Sequence, residues 1–283
     1  MKKIGFVDYY ISEWHANNYP AWFKETTAAL GYEYEVAYAW AQEYVSPVDG
    51  RNTDEWCEAM GVTRCQTVEE LCEKSDVIVL LAPSNPEQHL QLAQKVLPYG
   101  KRTYIDKSFA DTVENAEAIV ALAKEYGTPF FSSSALRYAT ELNAVGPCRS
   151  MTTMGGYWSV EEYIIHQAEM IVKKIGVGAR EIKGQKITDN EYTFTIRYDD
   201  DRSAGMHFVK AGLPYTVLMT KGDGSDAVYK TVQSDPFKGL IHDMLVFFET
   251  GEGAVDVAET LEVNRIMVAA IKAKNAPDTW VNV

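Results

Sequence analysis

The sequence of 283 residues predicts an α/β fold: a doubly wound parallel sheet first, then an α+β domain with an open antiparallel sheet. Three observations predict it. Strand-like and helix-like segments alternate through about residue 135. One of those strands, Val77-Ile78-Val79-Leu80-Leu81, is an unbroken apolar run, as expected of a strand covered on both faces of a parallel sheet. From residue 191 onward the pattern changes to period-two alternation broken by turns, which is antiparallel pairing.

Residues 3–7 form the first expected strand and residues 21–30 the first helix, closed by Gly31. Residues 34–39 are the second strand. Short helices follow at 54–60, stopped by Gly61, and at 68–74. After the 77–81 strand, Ala82-Pro83-Ser84-Asn85-Pro86 breaks the chain with turn chemistry. Residues 87–97 carry Leu90, Leu92, Ala93, Val96 and Leu97 at helical spacing. Gly100 ends that helix, and residues 102–106 make the next strand. A helix at 115–126 and a short strand at 129–133 complete the first domain. In the second, 191–198 and 203–210 form a hairpin around Asp199-Asp200-Asp201. Residues 216–220 and 227–232 pair around Gly222 and Gly224, and helices at 238–250 and 257–273 close the chain. The division predicted is 1–137 and 138–283, with no internal repeat and no low-complexity linker.

Composition excludes several classes. The net charge is −13 and Lys and Arg are not clustered, so neither a nucleic acid nor an acidic membrane surface is an expected partner. An apolar content of 46% supports a full core. No apolar run is long enough to span a membrane, and residues 4–7 are too short for the apolar region of a signal peptide, so a cytoplasmic protein is expected. Cys57, Cys65, Cys72 and Cys148 contain no Cys-x-x-Cys pair. Reduced thiols and no metal site are the expectation.

The chemistry concentrates between residues 75 and 109. Lys107 follows directly on a predicted parallel strand, and ligands of open α/β sheets bind at the carboxyl ends of strands. Glu162 and His166 lie four apart, so on a helix they share a face, and an imidazole titrates near neutral pH. An isolated pair of this kind, or a lysine after a strand, is usually a solvated surface feature. Their order along the chain raises their weight. The segment Asp76 to His89 resembles the strand–Ala-Pro–His stretch of the glucose–fructose oxidoreductase / inositol dehydrogenase (Gfo/Idh/MocA) family. Gly100-Lys101 with Tyr104-Ile105-Asp106-Lys107-Ser108 resembles that family's Gly-Lys and Glu-Lys-Pro motif. Arg137-Tyr138 stands where it has an arginine at the domain crossover, and Glu162-x-x-x-His166 resembles its Asp-x-x-x-His motif.

The resemblance covers nearly the whole chain and implies an N-terminal Rossmann-like nucleotide-binding domain with a C-terminal substrate and oligomerisation domain. It implies a dehydrogenase that moves a hydride between NAD or NADP and a carbinol carbon of a sugar, cyclitol or related small polyol. Lys107 would then hydrogen-bond the reacting hydroxyl, His166 would be the acid or base, and Glu162 would orient the imidazole. Asp8, Tyr10, Ala82, Pro83, Ser84, His89, Asp106 and Arg137 would line the cofactor, with His89 a helix residue near the cofactor loop. A homodimer or higher homo-oligomer would form across the open sheet face.

The sequence also departs from the family. Where a Gly-x-Gly-x-x-Gly turn is due, it reads Asp8-Tyr9-Tyr10-Ile11-Ser12-Glu13, and the second strand ends Tyr38-Ala39-Trp40 with no acid for a ribose. Ser108 replaces the family's proline. Two alternatives stand beside the dehydrogenase reading: a cofactor-free ligand-binding or regulatory protein on the same scaffold, and a non-redox lyase or hydrolase using the same cleft.

Overall fold

The computed structural model describes residues 1–283, which divide into two compact units. The first comprises Met1–Ser133 and Ile241–Asp256, the second Ser134–Leu240 and Val257–Val283.

Unit one is built on six parallel strands. β1 (Lys2–Asp8) runs into α1 (Trp14–Leu30) and β2 (Tyr34–Ala41). α2 (Thr53–Met60), β3 (Thr63–Arg64), α3 (Val68–Lys74) and β4 (Val77–Leu80) follow, then α4 (His89–Val96), β5 (Thr103–Ile105), α5 (Val113–Tyr126) and β6 (Phe130–Phe131). The strand order is β3-β2-β1-β4-β5-β6, all neighbours parallel. The order reverses between β1 and β4, and a crevice for ligands opens at the carboxyl ends of strands at such a reversal. β4 is buried at every position, as its apolar run requires. Gly5 lets α3 approach β1, because a Cβ there would stand 2.3 Å from Ser75 Oγ and 2.7 Å from Leu71 Cδ2.

α1 begins seven residues before the expected start. Glu13 caps it in place of the usual Ser, Thr, Asp or Asn, and Pro20 lies inside it. Both features read as loop in a sequence. The division between units also differs from the expected one after residue 137. It falls after Ser133, and 241–256 return to unit one, where Phe248 stacks on Phe23 at 6.4 Å and Phe247 meets Phe131 edge-on at 5.1 Å. A returning segment of this kind leaves no shift in composition to read.

Unit two holds β7 (Cys148–Gly156), α6 (Val160–Ile175), β8 (Ala179–Thr188), β9 (Glu191–Tyr198), β10 (Ser203–Val209), β11 (Leu213–Lys221) and β12 (Ala227–Thr231). α7 (Pro236–Thr250) crosses the division, and α8 (Val257–Asn275) and β13 (Trp280–Asn282) end the chain. The sheet order is β12-β11-β7-β10-β9-β8-β13. It is mixed rather than wholly antiparallel, because β10 and β7 run parallel. α6 packs on β7 and α8 on β8. Ile182, Phe194, Ile196, Met206, Phe208, Val217 and Met219 are buried, while Leu218 and Tyr229 remain exposed.

Candidate active site

In unit one, the candidate residues gather at the carboxyl ends of β1, β4 and β5. Asp8 ends β1 with 1% of its surface exposed, and the Tyr9 amide donates to Asp8 Oδ1 at 2.7 Å. Burial, reinforced by the nearby Glu13 carboxyl, pushes Asp8 well above the usual carboxylate range. Glu13 is also buried, and its two oxygens accept from the first free amides of α1: Oε2 from His15 at 2.7 Å and Oε1 from Ala16. Burial raises its pKa against the pull of His15 and those amides. Tyr10 is half-buried beside Tyr9, their ring centroids 5.7 Å apart.

β5 delivers Asp106 and Lys107. Asp106 Oδ2 stands 2.7 Å from His15 Nδ1, and its Oδ1 lies 3.0 Å from the Tyr104 hydroxyl. Burial works to raise Asp106, but His15, with Lys107, holds its carboxyl below the usual range. The Lys107 ammonium donates to Pro83 O at 2.9 Å and is only 9% exposed. Ala82, on the same turn, adopts φ +83°, a region rarely populated by non-glycine residues. Ser84 beyond it is exposed. The Lys107–Ser108 peptide bond is cis.

His89 is fully buried, its Nε2 2.6 Å from Leu81 O and its Nδ1 3.1 Å from Phe109 O. Burial lowers its pKa, and both ring nitrogens face backbone carbonyls. The neutral ring carries one N–H, so it donates to one of these carbonyls and packs against the other, between the end of β4 and the segment after Lys107.

In unit two, α6 carries Glu162 and His166 behind an N-cap, Ser159, whose side chain accepts from the Glu162 amide at 3.2 Å. Gln167 fixes the helix to the sheet, accepting from the Thr153 hydroxyl at 2.7 Å and donating to Gly155 O at 3.0 Å. His166 Nδ1 stands 2.6 Å from Ser134 Oγ, which also accepts from the Leu136 amide at 3.2 Å. The ring lies 5.7 Å from both Tyr163 and Tyr215. Arg137 is buried between two carboxylates. It donates to Glu169 Oε1 at 2.8 Å and to Glu259, and Glu169 Oε2 accepts from the Ser134 amide at 3.2 Å. Burial raises the Glu169 pKa against the pull of Arg137. Arg137 and Glu169 thus set the segment that carries Ser134.

Asp8, Asp106, Lys107, Ala82 and Pro83 thus belong to one crevice edge, and His166, Glu162 and Arg137 to one helix and its brace. His15, Glu13 and Ser134 were not singled out as functional candidates by the sequence. His15 sits at the start of α1 and has no sequence neighbour that signals Asp106, which lies on a different strand. Four cysteines are free and buried, and no His, Cys, Asp or Glu cluster has metal-binding geometry.

Residues 32–133 match the family described as "Oxidoreductase family, NAD-binding Rossmann fold" (Gfo/Idh/MocA). That match begins after the β1–α1 turn. No curated protein matches. Among solved structures, a "probable dehydrogenase" from Thermotoga maritima superposes with a TM-score of 0.79 at 10% identity, covering 99% of this chain and 98% of that one. An oxidoreductase from Agrobacterium radiobacter, solved in complex with NAD+, L-tartaric acid and magnesium, gives 0.76 at 12% identity, covering 99% and 98%. The apo scyllo-inositol dehydrogenase from Lactobacillus casei gives 0.75 at 12% identity over the same shares. At such identities the likeness is one of fold. Residues 32–133 thus match the Gfo/Idh/MocA oxidoreductase model, and the six-stranded sheet has the doubly wound strand order of a Rossmann fold.

Proposed function

We propose that this chain is an oxidoreductase acting at a carbinol carbon of a sugar, cyclitol or related small polyol. The observation that carries the reading is Lys107: a nearly buried ammonium at the end of β5, inside the family-matched segment, held by a carbonyl of the β4 turn. Oxidising a carbinol removes a proton from oxygen and a hydride from carbon. The chain's own residues serve the proton. The Lys107 ammonium hydrogen-bonds the hydroxyl and favours its alkoxide. His166, in unit two, is the acid or base that the resemblance implies. Ser134 Oγ, which accepts from the Leu136 amide, holds Nδ1 at 2.6 Å; in the tautomer whose Nδ1–H donates to that oxygen, Nε2 is left as the base. Glu162, on the same helix face, supports the imidazolium.

The hydride would pass to NAD or NADP, the acceptor that the family implies, so redox turnover requires a dinucleotide held elsewhere than on the β1–α1 turn. The turn after β1 does not fit the diphosphate of either in the usual pose: it has no glycine, Asp8 is buried in it, and Glu13 takes the α1 amides. The same turn favours a second reading, a ligand-binding protein or non-redox lyase or hydrolase with the same polyol cleft. A substrate screen of polyols followed by single variants tests the site. Lys107→Ala and His166→Ala should each lower turnover by about 10² or more, the range of lost acid–base help. Unchanged turnover in both variants would remove the assignment. Calorimetry with polyols in the absence of any nucleotide identifies the second reading: tight binding without redox turnover is its signature.

A further inference from the structure

We infer that the dinucleotide-binding corner of unit one is filled by the chain itself, so that no diphosphate-bearing ligand is anchored at the start of α1. Two independent sets of contacts carry this. The first is at the turn. In a doubly wound fold the free amides of the β1–α1 turn and the first helical turn receive the diphosphate. Here the amides of Tyr9, His15 and Ala16 already donate to the chain's own carboxyl groups, Tyr9 to Asp8 and the other two to Glu13. Glu13 is 6% exposed and Asp8 1%, so neither swings aside without opening packed structure. Burial also raises the pKa of both, as expected of carboxyl groups built in rather than left in water.

The second set lies at the β2 edge, where the ribose of a dinucleotide would rest. The chain continues past β2 and pairs with the turn itself: Gln42 N donates to Asp8 O at 3.1 Å and Glu43 N to Tyr9 O at 2.7 Å. A loop closed by the Val45–Asn52 bridge then locks on. The Ser46 hydroxyl donates to Ser12 O at 2.7 Å, and the Ser12 hydroxyl donates to Asp49 Oδ2 at 2.7 Å. Ser46 is 2% exposed. Residues 42–52 therefore cover the edge on which a ribose would lie. The corner is a closed structural joint, and Glu13 is its central acceptor.

The consequence rests on the proposed cleft chemistry and narrows its ligand. Beneath the crevice edge the carboxyl groups of Asp8, Glu13 and Asp106 are packed against His15 and Lys107, a concentration of acidic groups that favours a neutral polyhydroxylated molecule over a phosphorylated one. This gives weight to the reading without a dinucleotide.

The test is titration of the intact protein with NADH and NADPH, followed by nicotinamide fluorescence, alongside Glu13→Gly and the Glu13→Gly, Asp8→Gly pair. The expected result is no saturable binding by the wild type up to millimolar nucleotide, and saturable binding in one of the variants. Micromolar binding by the wild type overturns the inference, as does no gain in either variant. Hydrogen exchange on the wild type gives a reading that does not depend on variants folding. The amides of residues 9–16 should exchange at the same rate with and without millimolar NADH, and protection there overturns the inference. Failure of the cleft assignment would show instead in nucleotide-free calorimetry with polyols, where unchanged affinity in Lys107→Ala and His166→Ala would remove the cleft and leave the nucleotide result as it stands.

Discussion

Asp8 is a residue whose burial should cost stability at neutral pH. Its carboxyl titrates near 3.8 in a solvated chain, and in the folded protein burial, then Glu13, raise it well above that. A raised folded pKa means the folded state keeps a proton that the unfolded chain has lost. Stability from this group is therefore complete below the unfolded value and is lost as pH rises through the folded one. Asparagine removes the titration while keeping the shape and an acceptor for the Tyr9 amide. Asp8→Asn should raise stability at neutral pH in urea unfolding. The gain should shrink toward zero as the pH approaches 4. Parallel stability–pH curves for the two proteins would show that Asp8 is not the source. Glu13 contributes to the same penalty, so replacing both should give less than the sum of the single effects.

At the level of elements, β7 is the strand on which α6 and its histidine depend. It ends in Gly155-Gly156, whose φ values are +151° and +152°. A Cβ on Gly156 would stand 2.4 Å from the Val209 carbonyl, backbone that cannot give way. Gly156→Ala should destabilise the protein by about 2–3 kcal/mol in denaturant titration, from combined strain and overpacking. An unchanged midpoint would contradict the geometry. This strand also marks the limit of what the sequence told. Arg149-Ser150-Met151-Thr152-Thr153-Met154 lacks clean alternation, because Thr153 is buried on the core side where it bonds Gln167. By contrast, the apolar run at 77–81 and the lysine after β5 were legible, since burial on both faces and strand-end placement follow from local pattern. The start of α1 was not, because its cap is a glutamate and a proline follows. Ser134 beside His166 was not either: that pairing arises from a buried arginine bridging α6 and α8, a relation between residues over 120 positions apart.

At the scale of the whole molecule, one surface remains without a cover: the outer face of the seven-stranded sheet. Register defines a row across it, Tyr229–Leu218–Thr152–Gly205–Thr195–Lys183–Trp280, each residue opposite the next. Tyr229 is 62% exposed and Leu218 45%, and they face each other directly. Thr152, Gly205 and Thr195 in the middle are small, so the face is flat enough to receive a second sheet. The helices α6 and α8 lie on the opposite face, with the buried Val217 and Met219, and so do not cover this row. A two-fold partner placing the same row against itself would bury both copies of Leu218 and Tyr229 at once. The expected state is a homodimer through this face. Light scattering should give twice the monomer mass for the wild type and the monomer mass for Leu218→Glu, because the carboxylate would be buried unpaired at two equivalent places. A monomeric wild type would leave the row solvated, and a dimeric variant would place the contact on another surface.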